Sequence, residues 1–70
     1  MAKYKFKTIE QMRATADTLQ KLGVAVDGDD DSPQERDRTF KVTGAQDVTA
    51  ADAYLAAMAG VAGWRAPTKS

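Results

Sequence analysis

Polar and apolar residues alternate strictly through Lys3-Tyr4-Lys5-Phe6-Lys7, which puts Tyr4 and Phe6 on one face of a strand and three lysines on the other. Thr8-Ile9-Glu10-Gln11 then reads as a capping box, so a helix is predicted from Ile9. Ile9, Met12, Ala16, Leu19 and Leu22 recur at spacings of three and four and form one apolar stripe, and Gly23 supplies a left-handed C-terminal cap. Val24-Ala25-Val26 and Thr39-Phe40-Lys41-Val42-Thr43 are β-prone, the second with Phe40 and Val42 inward, and are expected to pair as a hairpin. Residues 27–37 between them are too polar to bury, and Ser32-Pro33-Gln34-Glu35 has the form of a one-turn helix start. Thr49 with Asp52 marks a second helix start, with Ala50 to Ala62 helix-forming and Gly60 and Gly63 near its end.

The order strand, helix, strand, strand, helix predicts a small α+β fold, βαββα. Its three-stranded sheet would have the third strand central, the first at an edge, and two helices packed on one face, an incomplete ferredoxin-like unit. Residues 1–66 form the single small α+β domain of this reading, and Pro67 introduces a tail, 67–70, expected to be disordered.

Composition narrows the chemistry. Of the 70 residues 43% count as hydrophobic, but 13 are Ala and only 11 are Leu, Ile, Val or Phe, so the core is thin. A single core of this size supplies about 3–5 kcal/mol, and small scaffolds add disulfides, a metal or a subunit. The chain has no Cys and no His, which leaves a subunit and points to a homodimer. The same absences remove thiolate nucleophiles, the usual zinc ligands and the commonest general base. Asp52 with Tyr54, or the aspartates with Lys41, shows no nucleophile–base pairing, and Gly23 and Gly28 are isolated turn glycines; the chain is read as non-catalytic, with no cofactor and no metal. No apolar run approaches the roughly 18 residues that span a bilayer, so a soluble cytoplasmic protein with no membrane partner is expected.

Charge changes the picture more than its total of zero suggests. Residues 1–13 sum to +3 and residues 27–37 to −5. Asp27, Asp29 and Asp31 have the alternation that opens a calcium loop, but Ser32 stands where that loop needs Gly and Arg38 where it needs Glu. The segment with Asp29, Asp30 and Asp31 is therefore read as a solvated acidic loop or a docking surface for a basic partner. Lys3, Lys5, Lys7, Arg38 and Lys41 form a basic patch on the outer sheet face, either edge protection or a nucleic-acid-binding surface.

The second helix carries no charge except Asp52, and Ala53/Ala57, Ala56/Gly60 and Ala59/Gly63 set small residues four apart. Such a helix packs on two sides or contacts another chain. In the second case Tyr54, Met58, Val61 and Trp64 anchor a partner protein; in the first they complete the core, with Trp64 folding back as a lid. The leading expectation is thus a small protein-binding module, an inhibitor or regulator that occludes a partner. The alternatives are a nucleic-acid-binding regulator and a structural subunit of a phage assembly. In its length, lack of Cys and acidic loop the chain is similar to the accessory inhibitors that phages and mobile elements encode, anti-CRISPR proteins among them.

Overall fold

Three strands and two helices alternate along the chain in the computed structural model, which describes residues 2–27 and 38–70. They are β1 (Ala2–Lys5), α1 (Ile9–Lys21), β2 (Thr39–Val42), α2 (Ala45–Met58) and β3 (Thr68–Lys69). The sheet order is β2-β1-β3, with both pairs antiparallel. The α+β class, the three-stranded sheet and roughly the element order stand as expected from the sequence; among the described residues that order is βαβαβ.

Local signals account for α1. Thr8 is extended and its hydroxyl accepts the Gln11 backbone N–H at 3.1 Å. The Gln11 side chain does not close a capping box; its Nε2 donates to the Arg65 carbonyl instead, tying α1 to the chain beyond α2. At the other end the Gly23 N–H donates to the Gln20 carbonyl (3.0 Å) and the Val24 N–H to the Leu19 carbonyl (2.9 Å), the two bonds of a Schellman motif. Gly23 has φ 93°, and nothing lies within 4 Å of where its Cβ would stand. Gly23→Ala is therefore expected to cost about 1 kcal/mol through backbone strain alone, lowering Tm by roughly 4–8 °C in a thermal unfolding experiment. An unchanged Tm would show that this turn relaxes freely.

That cap explains why Val24–Val26 does not become a strand. Val24 is consumed by the motif and packs into the core, and among the described residues the expected hairpin is reduced to one bridge, Asp27 to Lys41. The third strand in the sequence reading is consequently not central: β1 is, with β2 on one side. Its other side is taken by Thr68–Lys69, the segment assigned to the disordered tail. Lys3 and Ser70 exchange backbone hydrogen bonds of 2.9 Å each, extending that pairing to the last residue.

The second helix starts earlier than expected and ends earlier. Gly44 is the N-cap and contributes no side chain, Asp47 sits favourably in the first turn, and the Thr49 hydroxyl bonds back to the Ala45 carbonyl within the helix. After Met58 the backbone passes through turns closed by Val61 N–H to Met58 and Trp64 N–H to Val61, with Gly63 at φ 82°.

Both helices cover the same face of the sheet. Ala2, Tyr4, Phe6, Phe40 and Val42 from the strand segments, Met12, Ala16 and Leu19 from α1, Val24, and Ala51 from α2 form one buried cluster. Leu22 is the exception in the α1 stripe: it caps the helix and is 66% exposed. Among the described residues no helix is long and apolar enough to cross a membrane.

Candidate interaction surfaces

The pleat of β1 sorts its residues onto two faces with different chemistry. On the covered face Tyr4 opposes Phe40 and Lys69; on the open face Lys3 opposes Lys41, and Lys5 opposes Thr39 and Thr68. Lys3 and Lys5 are exposed, whereas Lys41 is half-buried and lies 3.9 Å from the Asp27 carboxylate. Lys7 follows the strand, also exposed. Arg38 is more committed than its sequence reading implied. Its backbone is left-handed (φ 61°), its carbonyl accepts the Phe6 N–H at 2.8 Å, and its guanidinium Nη1 donates to the Lys7 carbonyl at 3.1 Å. It clamps the exit of β1 to the entry of β2.

On the covered face a polar link crosses three elements. The Tyr4 hydroxyl donates to Asp52 Oδ1 at 2.8 Å, and Lys69 Nζ donates to Asp52 Oδ2 at 2.7 Å. Both bonds hold the Asp52 carboxyl below the usual carboxylate range, Lys69 the more strongly. Burial pushes the Tyr4 phenol upward, and the adjoining carboxylate adds to that. The sequence marked Asp52 as the lone charge of its helix and Tyr4 as inward-facing, but Lys69 lay in the expected tail, so nothing local joined the three.

The outer side of α2 is a third kind of surface. Ala51 is its one fully buried residue, with Val48, Tyr54 and Leu55 packed partly against the core. Ala50, Ala53, Ala56, Ala57, Ala59, Gly60, Val61, Ala62 and Gly63 are all exposed, and none is charged. The helix therefore packs on one side only, leaving its small-residue side open. Of the candidate anchors, Tyr54 and Trp64 rest on the core, Met58 is half-buried at the helix end, and Val61 is 49% exposed. Trp64 Nε1 is buried without a hydrogen-bond partner among the described residues. Leu22 does not join this surface. The helices run antiparallel, with Gln11 tied to Arg65 at one end and the Ala25 N–H to Asp47 at the other, which puts Leu22 at the end away from Val61.

Asp29, Asp30 and Asp31 lie outside the described residues. Among the described residues no group of three or more acidic side chains could hold a metal ion, and no pocket is found. Compared with family models, curated proteins and solved structures, the chain matches none.

Proposed function

We propose that the protein is a small non-catalytic binding module that regulates or inhibits another protein by covering part of its surface, in the manner of the accessory inhibitors of phages and mobile elements. One observation carries the reading. In a chain with 29% charged residues, the exposed residues of α2 and of the turns after it, from Ala53 to Gly63, are all uncharged, and the half-exposed Asp52 beside them is bonded to Tyr4 and Lys69. Charge depletion is the compositional mark of an interface centre, and small side chains let a partner's backbone approach closely. Met58 and Val61 supply the larger apolar groups at one end of this side, while Tyr54 and Trp64 hold it in place from beneath.

The first partner to test is a second copy of the chain, because a self-matching uncharged face suits a two-fold dimer. Light scattering across a concentration series is expected to give a molar mass rising above the 7.5 kDa of the monomer. Ala53→Arg with Ala57→Arg should hold it at the monomer value while the circular dichroism stays unchanged, since exposed substitutions cost within about 0.5 kcal/mol. A monomer at every concentration overturns the homodimer. A partner recovered equally by the wild type and the double variant overturns the α2 face as the site of occlusion.

A further inference from the structure

The two edges of β1 are held in different ways. Toward β2 four residue pairs run from Ala2 with Val42 to Lys5 with Thr39, and Phe40 and Val42 of that strand are fully buried. Toward β3 the pairing is shorter: Tyr4 opposes Lys69, Lys5 opposes Thr68, and Lys3 and Ser70 exchange two backbone hydrogen bonds of 2.9 Å. Hydrogen-bonded pairs alternate along an antiparallel ladder, so Lys5 with Thr68 is the next such pair after Lys3 with Ser70. The backbone groups of Lys3 and Lys5 therefore face β3, whereas those of Tyr4 and Phe6 face β2, where the Phe6 N–H meets the Arg38 carbonyl.

What holds β3 in place is almost wholly polar. The chain leaving α2 is rooted at Trp64, which packs on the core, and at Arg65, whose carbonyl accepts Gln11 Nε2. Beyond that root Ala66, Thr68, Lys69 and Ser70 are exposed and Pro67 is half-buried, so no residue of 66–70 belongs to the core. Among the described residues its side-chain link is Lys69 to Asp52 at 2.7 Å, with both side chains nearly half exposed. Exposed polar bonds are exchanged for bonds to water at small net cost, whereas opening the β2 edge would also expose two buried side chains. Units with few buried apolar contacts and exposed backbone bonds open well below the global stability. Pro67 is restricted in φ, so the segment beyond the root swings stiffly. From this contrast we infer that residues 66–70 are a strap that opens as a unit from the Trp64–Arg65 root while both helices and the β1–β2 pairing stay folded. Closed, it caps the sheet; open, it bares the N–H and C=O groups of Lys3 and Lys5, the kind of unpaired row on which another strand adds. The strap thus sets when this edge is available, and the inference does not rest on the α2 reading.

The test is native-state hydrogen exchange of the full chain, read amide by amide by NMR. The amides of Lys3 and Lys5 should be at least about tenfold less protected than those of Tyr4 and Phe6, a period of two along one strand. Equal protection at all four overturns the inference, because the strap then opens only with the whole fold. Exchange that slows steadily from Ala2 to Phe6 overturns it as well, since that is fraying of β1 itself. Lys3→Cys with Ser70→Cys supplies the control: directly paired Cα atoms about 5.5 Å apart suit a disulfide, and the chain has no Cys of its own. In the oxidised form Lys5 should be as protected as Phe6, and on reduction the difference should return. A difference between Lys5 and Phe6 that persists with the strap locked places the opening elsewhere and overturns the inference. Ala53→Arg with Ala57→Arg should leave the alternation intact, so failure here and failure of the α2 reading register separately.

Discussion

Phe40→Ala is expected to leave the chain substantially unfolded at 25 °C. Phe40 is fully buried on β2, with its ring 5.5 Å from that of Tyr4 and 5.1 Å from that of Phe6. Truncating a buried Phe costs about 3–5 kcal/mol, through lost transfer energy and the cavity left behind. A single core of this size supplies about the same amount in total, so one substitution consumes the margin. Urea unfolding followed by circular dichroism should show no folded baseline for the variant. A cooperative transition within about 1 kcal/mol of wild type would mean that the three rings are not the centre of the core. Val61→Ala, at an exposed position, serves as the contrast and should cost under about 0.5 kcal/mol.

The second large effect concerns the link from Tyr4 through Asp52 to Lys69. Asp52→Ala takes the acceptor from a hydroxyl whose residue is almost wholly inaccessible to solvent, and an unsatisfied buried donor costs about 1–3 kcal/mol. Tyr4→Phe removes the donor instead and should cost less, and the double variant should be more stable than Asp52→Ala alone. Equal destabilisation by Asp52→Ala and Lys69→Ala would contradict this, because the Lys69 bridge is half-exposed and contributes under about 1 kcal/mol.

The same link fixes the direction of the pH dependence. The folded Asp52 carboxyl lies below its unfolded value, so its stabilisation is complete above about pH 4, the ordinary aspartate range, and is lost as pH falls through the folded value. The carboxylate is partly exposed, so this contribution is small and shrinks with salt. At the alkaline end the folded Tyr4 phenol lies above its unfolded value, so its contribution is present below about pH 10 and declines above it. Stability measured against pH should lose its alkaline fall in part in Tyr4→Phe and its acid fall in part in Asp52→Asn. Unaltered slopes in both variants would show that other groups govern the titration.

Where each expectation held or failed follows from the range of the interaction behind it. The alternation around Tyr4 and Phe6, the inward Phe40 and Val42, the Thr8 cap and the Gly23 stop depend on residues within a few positions of one another. Strand pleat and helix pitch impose that dependence on any chain, so these features were determined by the sequence alone. Leu22 shows how short that range is: one step past the helical stripe the backbone turns, and the side chain leaves the core.

The tertiary structure decided which strand took which edge. β1 has two hydrogen-bonding edges and nothing in its own residues names their partners. Val24 had two possible uses, a strand and a helix cap, and the Schellman motif with its packing on the core claimed it. That left the far edge of β1 to Thr68–Lys69, and the choice brought Lys69 to Asp52 across 17 positions and Asp52 to Tyr4 across 48. Likewise the lack of charge from Ala53 to Gly63 was plain in the sequence, but that the small-residue side of α2 stays open depended on the sheet offering one covered face. Local sterics write periodicity and caps into a sequence, whereas edge pairing and long-range polar links arise only when distant segments compete for the same backbone groups.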